Sequence, residues 1–270
     1  MSRMVAIVGF QRSGTNMVRS LLATHPRLQV YDEIFNARRP EDGEEHVYKL
    51  RNFWNYMLGR AESDPEMVLP MRRPELIGDY LDALIEASAP AVPVIDIKFN
   101  SFHHGNAGWH DLTQPPRLLD LLREREVPLI HLYRRNRLKR ALSVQTARKT
   151  GIYAVRKEID TSDRHTEIDP RALLGDLVAD HIEIKQVMHM LGNYPLAAQV
   201  DYEDLYRGDS REPDLTALEE ALTRFGLPGP MTTEHLVRKL NSDRLQDVIS
   251  NFDEVEAALR GTPFAEHLAG

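Results

Sequence analysis

The sequence predicts an α/β fold of three layers, with a central parallel sheet flanked by helices. Short apolar segments rich in Val and Ile recur along the chain, and longer amphipathic segments separate them. Parallel strands have this composition because helices cover both faces of the sheet. Strands that alternate with helices are joined by crossovers, which carry the helices to the two sides of the sheet.

The predicted elements keep this alternation from the N-terminus onward. The predicted strands span residues 4–10, 28–31, 93–99, 129–133 and 196–201. The predicted helices span residues 15–24, 45–59, 74–88, 117–125, 136–150, 170–192 and 214–226, followed by a polar helical tail from Thr233. No repeat or clear linker divides the sequence, so we expect a single domain over residues 1–270.

The segment from Met4 to Leu22 predicts a buried strand, a glycine turn and a helix. Gly9 and Gly14 bracket four residues, which is the two-glycine spacing of a P-loop. Backbone N–H groups at the start of such a helix, together with the helix dipole, bind a phosphate. Thr15 is expected to cap the helix. The fold is therefore expected to be P-loop-like, although a tight turn without a ligand is the alternative for this motif alone.

The loop departs from that of a nucleotide triphosphatase directly after Gly14. A triphosphatase continues with Lys for the phosphates and Ser or Thr for magnesium, whereas Thr15 and Asn16 hold those places here. The positive charge comes earlier, at Arg12. The sequence therefore predicts an anion loop without a magnesium hydroxyl.

A second candidate anion site lies in the segment 128–147, where another apolar strand leads into a helix. Five of the seven residues 134–140 are basic, in a chain of net charge −7. Such a run is usually a solvated face, but Arg135 leaves the carboxyl end of a strand, where parallel sheets bind ligands. Ser143 follows eight residues later and is expected to face the same direction. An arginine fork and a hydroxyl suit a second phosphate.

The two motifs together resemble those of sulfotransferases that use 3′-phosphoadenosine 5′-phosphosulfate (PAPS), in particular bacterial members acting on carbohydrates, lipids and small molecules. The resemblance implies that the 5′-phosphosulfate is held by the loop residues Gln11, Arg12, Ser13, Gly14, Thr15 and Asn16. It implies that Arg135 and Ser143 hold the 3′-phosphate. The late segment 200–205, VDYEDL, also matches the family, and we interpret it as structural, capping and orienting a helix.

The resemblance also suggests a catalytic base. Cytosolic members carry a catalytic His two residues after a Lys on a middle strand, but the comparable segment 94–100, VIDIKFN, places Asn100 there. Since Asn cannot act as a base, the analogy with bacterial members assigns this role to Glu33, at the close of the second strand. We expect this strand to lie beside the first, with the carboxylate directed at the mouth of the loop.

Four side chains are further candidates for the reaction. Lys98 either stabilises charge on the transferring sulfuryl group or forms a structural ion pair. Arg12 neutralises the leaving group. His103 or His104 orients the acceptor or replaces the carboxylate as base.

A metal site is the less favoured interpretation of the loop FHHGNAGWHD. His103, His104, His110 and Asp111 cluster there, but their spacing is irregular and the family's chemistry needs no metal. The segments 36–92 and 151–170 are expected to be insertions that shape the acceptor pocket. Aromatic residues that could line it, or belong instead to the core, are Tyr31, Phe53, Trp54, Tyr56 and Tyr80.

Composition agrees with a cytoplasmic enzyme. The sequence is 42% apolar and contains no cysteine and no apolar run of eighteen residues. Its acidic net charge argues against nucleic acid as the main partner. A P-loop kinase or other nucleotide triphosphatase, and a protein that binds PAPS or its desulfated product without turnover, are the alternative functions.

Overall fold

A computed structural model describes residues 3–36, 50, 52–105, 116–150, 166–205, 213–233 and 245–268, with the backbone alone for 147–150. Within these residues, five strands form an all-parallel sheet in the order β2-β3-β1-β4-β5. The strands are β1 (Val5–Gly9), β2 (Leu28–Glu33), β3 (Val92–Lys98), β4 (Leu129–Tyr133) and β5 (Ala197–Asp201). The predicted fold class, a central parallel sheet flanked by helices, is confirmed.

Nine α-helices lie among the described residues. They are α1 (Thr15–Leu22), α2 (Phe53–Ser63), α3 (Arg73–Ser88), α4 (Arg117–Glu124), α5 (Arg137–Thr150), α6 (Pro170–Gly192), α7 (Tyr202–Leu205), α8 (Thr216–Arg224) and α9 (Phe252–Leu259). A 3₁₀ helix, Phe99–Gly105, directly follows β3. None of the described helices combines the length and the apolar character that a bilayer span requires.

The two faces of the sheet belong to separate apolar clusters. Along β3, Ile95 and Ile97 pack with α3 and α4, whereas Val92 and Val94 pack with α1 and α8. This division follows from the period of two along a strand. A third cluster joins α5 and α6 to the C-terminal α9. Because the strands are parallel, the loops that follow them lie together at the carboxyl ends of the strands.

Several predicted boundaries differ from those in the structure. The helix predicted over 45–59 is Phe53–Ser63 in the structure, and residues 37–49 lie outside the described part of the chain. The second strand runs two residues further than predicted, to Glu33. Of the predicted helical tail, 234–244 are outside the description, and the described part contains α9 and two 3₁₀ turns.

The predicted neighbour of β2 was also wrong. β2 pairs with β3, and β3 lies between β2 and β1. The order of strands depends on where each crossover returns to the sheet, which local sequence does not encode. Glu33 therefore faces the loop across the end of β3.

The buried His131 in β4 predicts that stability falls at acid pH. Its side chain is 5% exposed, between Phe99 and Tyr133. Burial lowers the pKa of His131 from 6.5 to about 4. A lowered folded-state pKa contributes stability that is complete above pH 6.5 and is lost as the pH falls toward 4. That contribution is about 3 kcal/mol, at about 1.36 kcal/mol per pKa unit.

We expect His131→Leu to make the free energy of unfolding fall less steeply between pH 6.5 and 4. Urea unfolding at several pH values across that interval measures the slope. The control is His189→Gln, a substitution of an exposed histidine on α6. An unchanged slope in His131→Leu would contradict the assignment of the acid sensitivity to His131.

Candidate active site

The loop between β1 and α1 turns through two left-handed residues. Arg12 has φ 67° and Gly14 has φ 91°, and the N–H of Ser13 donates to the carbonyl of Phe10 at 3.3 Å. A Cβ at Gly14 would lie 2.3 Å from a ring carbon of Tyr202. Position 14 therefore requires glycine for two reasons: the backbone is left-handed there, and the Tyr202 ring leaves no room for a Cβ.

Helix α1 begins directly behind this loop. Gly14 is the N-cap residue and no side chain caps the helix, so the prediction that Thr15 caps it was wrong. The N–H groups of Thr15 and Asn16 have no partner within the helix, whereas that of Met17 donates to the Gly14 carbonyl at 3.0 Å. The positive end of the helix dipole also lies there. The buried helix face consists of Thr15, Met17, Val18, Leu21 and Leu22.

Guanidinium groups surround the loop and hold its backbone. Arg134 Nη1 donates to the carbonyl of Arg12 at 3.1 Å, and Arg140 Nη1 donates to the carbonyl of Gln11 at 3.2 Å. Arg140 is buried, pairs with Asp180 and stacks over Phe10. Arg12 Nε donates to Ser143 Oγ at 2.9 Å. The loop thus lies within a cluster of positive charge.

Burial perturbs two of these arginines. Desolvation and the nearby charge of Arg134 lower the pKa of Arg12. Burial lowers the pKa of Arg140 to about 10. Both directions mean that the protein environment disfavours the cations, and an anion bound at the loop would relieve this cost.

The two residues expected to hold a second phosphate are engaged with different partners. Ser143 accepts from Arg12, whereas the Arg135 guanidinium lies 2.6 Å from Asp204 Oδ1 and 3.4 Å from Asp201 Oδ2. The hydrogen bond from Arg135 to Asp204 raises the pKa of Arg135. Arg135 precedes α5, so helical spacing does not relate its direction to that of Ser143.

The VDYEDL segment orients the start of α5. The Glu203 carboxylate accepts the backbone N–H groups of Arg135 and Asn136 at 2.9 and 3.0 Å. Asn136 Oδ1 accepts the N–H of Lys139 at 2.9 Å. The structural interpretation of this segment is confirmed, although the helix that it orients is α5.

The ammonium of Lys98 connects the loop to Glu33. Lys98 Nζ donates to Thr15 Oγ1 at 2.7 Å and lies 3.4 Å from Glu33 Oε1. It also donates to both carboxylate oxygens of Asp96 at 2.7 Å. Lys98 is 3% exposed, whereas the Glu33 side chain is 29% exposed. A solvent-accessible carboxylate and a helix N-terminus therefore meet at one buried cation.

His104 lies in an aromatic group beside this centre. Its ring is 4.9 Å from Trp54 and 5.6 Å from Phe35, the second residue after Glu33. Burial and the charges of His103 and Arg73 lower the pKa of His104 to about 4. A neutral imidazole can accept a proton or orient a hydroxyl at neutral pH.

The other predicted aromatic residues divide between core and rim. Phe53 and Tyr80 are fully buried, and Tyr31 is 4% exposed and bonded to Ser88. These three belong to the core, so the idea that they line a pocket was wrong for them. Trp54 and Tyr56 are partly exposed.

Of the remaining predicted residues, two lie at the loop between β1 and α1 and two lie outside the described part of the chain. The side chains of Gln11 and Asn16 are exposed, and Asn16 accepts a hydrogen bond from Arg19. His110 and Asp111 lie outside the described residues, and the rest contain no cluster of three or more His, Asp and Glu suited to a metal.

The sequence analysis did not identify four residues that contact the loop or the Lys98 ion pair. They are Arg19, Asp96, Arg134 and Arg140. A charged residue inside an apolar strand was the available signal for Asp96. The basic run signalled positive charge, but did not distinguish buried arginines from solvated ones.

No protein-family model and no curated protein matches the chain. Among solved structures, it is similar to a sulfotransferase domain from the curacin biosynthetic pathway at 14% identity and a TM-score of 0.46, covering 90% of this chain and 79% of that one. It is also similar to a sulfotransferase from Alicyclobacillus acidocaldarius at 12% identity and a TM-score of 0.45, covering 100% and 94%. Similarities this remote do not carry an assignment of function, which depends on the site itself.

Proposed function

We propose that the protein is a sulfotransferase that moves a sulfuryl group from PAPS to a hydroxyl or amine of a carbohydrate, lipid or small molecule. The observation that carries this proposal is the contact of one ammonium, that of Lys98, with both Thr15 and Glu33. It brings a carboxylate able to accept a proton to the helix N-terminus where an anionic donor would bind.

The loop suits the 5′-phosphosulfate of the donor. The N–H groups from Gly14 to Asn16 and the guanidinium of Arg12 would hold it. The Ser13 N–H stabilises the turn by donating to the Phe10 carbonyl, and Arg140 fixes the Gln11 carbonyl. The lowered pKa of Arg12 and the close packing of Tyr202 on Gly14 support this assignment. They describe a cationic, rigid loop that an anion would stabilise.

Arg135 and Ser143 would hold the 3′-phosphate, which distinguishes PAPS from ATP. The Arg135 side chain is 50% exposed, so its ion pairs with Asp201 and Asp204 are solvated and exchangeable. A phosphate dianion is a stronger partner for a guanidinium than an exposed carboxylate. Ser143 accepts from Arg12 and keeps its own hydroxyl proton to donate.

Glu33 would act as the general base of an in-line displacement. It takes the acceptor proton while the acceptor oxygen or nitrogen forms a bond to sulfur. The bond from sulfur to the bridging phosphate oxygen breaks, and its electron pair leaves on the phosphate. Arg12 and Lys98 would stabilise the developing charge, a contribution of about 3 kcal/mol for one well-placed donor.

The neutral His104 and the partly exposed Trp54 support an acceptor site next to Glu33. His104 would orient the acceptor hydroxyl, and the aromatic rings would pack against its apolar or sugar surface. Arg73 stacks over Trp54 at 6.0 Å and extends this surface.

We expect the desulfated product, adenosine 3′,5′-bisphosphate, to raise the melting temperature of the protein. A ligand that binds the native state alone stabilises it by about 2.7 kcal/mol at 100 times its Kd. AMP and ATP should stabilise far less, because neither carries a 3′-phosphate. Thermal unfolding with each nucleotide, with and without magnesium, measures the difference.

Two outcomes point to the alternatives. Stabilisation by ATP equal to that by the bisphosphate, and strengthened by magnesium, would favour a kinase or other triphosphatase. Strong bisphosphate binding without a product of increased mass from labelled PAPS, in a broad acceptor screen, would favour a binding protein without turnover.

A further inference from the structure

A fully buried carboxylate lies inside β3, at Asp96. Its side chain is 0% exposed, on the face of the strand directed toward α1. Asp96 Oδ1 and Oδ2 each accept from Lys98 Nζ at 2.7 Å, and Oδ2 lies 3.3 Å from Arg19 Nη1. A buried carboxylate is costly unless it is paired, so this position requires an explanation.

The side chain of Lys98 alone does not determine where its ammonium lies. A lysine has four rotatable carbon–carbon bonds, and its strongly hydrated ammonium tends to extend into solvent. Two oxygens on Asp96, two residues earlier on the same face of β3, hold the ammonium back. The third and fourth contacts of that ammonium are Thr15 and Glu33.

We propose that Asp96 is a positioning residue for sulfuryl transfer, holding the ammonium of Lys98 between the anion loop and the base. This inference rests on the proposed function. The Asp96 backbone pairs with β2, where Asp96 lies opposite Glu33 and its carbonyl accepts the N–H of Ile34 at 3.2 Å. The contacts described for its carboxylate are with Lys98 and Arg19, so the side chain acts on the site through Lys98. Its removal lets the ammonium leave the place where it meets charge on the transferring group.

A purely structural role for Asp96 makes a different prediction. Arg19 Nη1 lies 3.3 Å from Asp96 Oδ2 and 3.1 Å from Asp32 Oδ1 of β2. The Asp96 carboxylate therefore also links α1 to the sheet. If this tie were its whole role, Arg19→Met and Asp96→Asn would behave alike. If Asp96 positions Lys98, only Asp96→Asn releases the ammonium.

The first test follows Lys98 directly. Acetic anhydride labels accessible amines, and mass spectrometry gives the rate at each lysine. In Asp96→Asn we expect Lys98 to be labelled about 10- to 100-fold faster, the factor for losing one charge-assisted hydrogen bond. Lys98 should stay protected in Arg19→Met, and the exposed Lys185 of α6 is the internal control. Equal protection of Lys98 in all three proteins overturns the inference.

The second test is a double-mutant cycle in turnover, with Asp96→Asn, Lys98→Met and the double variant. Because Asp96 acts through Lys98, we expect the double variant to turn over no more slowly than Lys98→Met. The double variant also removes both charges of the pair, whereas Asp96→Asn alone leaves the buried ammonium with Glu33 as its remaining carboxylate. We therefore expect the double variant to fold at least as well as Asp96→Asn. Multiplicative losses, or a wild-type rate in Asp96→Asn, overturn the inference.

The two tests separate this inference from the proposed function. If the wild-type protein neither binds the bisphosphate nor transfers a sulfuryl group, the function fails, while the labelling still tests how Asp96 holds Lys98. If the wild-type protein transfers the group and labelling of Lys98 is insensitive to Asp96→Asn, the inference alone fails.

Discussion

We expect Glu33→Gln to lower turnover with a hydroxyl acceptor by a factor of about 10²–10⁴, the usual contribution of a positioned general base. Gln keeps the shape of the side chain and can still bond to Lys98, but it does not accept the acceptor proton. Folding and binding of adenosine 3′,5′-bisphosphate should therefore be retained. Steady-state rates with labelled PAPS, together with the melting temperature in the presence of the bisphosphate, measure both.

The matched control is Glu62→Gln, which neutralises an exposed carboxylate near the end of α2. It should turn over as the wild-type protein does. A near-normal rate in Glu33→Gln, accompanied by a large loss in His103→Ala or His104→Ala, would move the base to the histidine loop. That outcome would leave sulfuryl transfer in place and assign the proton to an imidazole beside Trp54.

Arg12→Ala and Arg135→Ala should separate rate from affinity. Arg12 lies at the loop and, in the proposed reaction, would interact most strongly when the leaving group gains charge, so its loss should lower kcat by about 10²–10³. In the proposed function, Arg135 would bind the 3′-phosphate equally in the ground and transition states. Its loss should weaken bisphosphate binding by about 10- to 100-fold, corresponding to about 1.5–3 kcal/mol for a charge-assisted hydrogen bond.

Arg125→Ala is the control for both substitutions. Arg125 also pairs with a carboxylate, that of Asp82. It precedes β4 and so lies near the amino ends of the strands, whereas the loop lies at their carboxyl ends. Calorimetric titration with the bisphosphate and saturation kinetics distinguish the three variants. Equal losses of affinity in Arg12→Ala and Arg135→Ala, with the wild-type rate at saturation, would contradict the assigned roles.

Local sequence was sufficient for the strand-loop-helix unit around Gly9 and Gly14. The β-branched run predicts β1, and the periodic apolar residues predict the buried face of α1. Both signals depend on neighbours within a few residues, so no tertiary information is needed to interpret them. The cap was predicted wrongly because the left-handed Gly14 holds the N-cap position and Thr15 is already the first helical residue. The Thr15 hydroxyl accepts instead from Lys98, a residue 83 positions away.

The basic run from 134 to 140 shows where local information ends. Its composition predicts positive charge near a strand end, and the structure does place Arg134 and Arg140 against the loop carbonyls. The two arginines differ in burial: Arg140 is buried, whereas the Arg135 side chain is half exposed and pairs with Asp204. Desolvation depends on which elements pack over each side chain, and the local sequence does not specify this packing.

The sequence by itself determined the α/β class and the strand-loop-helix unit that carries Arg12, because periodicity, turn chemistry and motif spacing are local properties. The choice of Glu33 as candidate base came instead from the resemblance to bacterial sulfotransferases. Only the tertiary structure decided the strand order, which places β3 between β1 and β2. That order brings Lys98 between Thr15 and Glu33 and buries Asp96 beneath it. Contacts between distant residues depend on how crossovers return to the sheet and on which charges lose their water, and both are settled only when the chain packs.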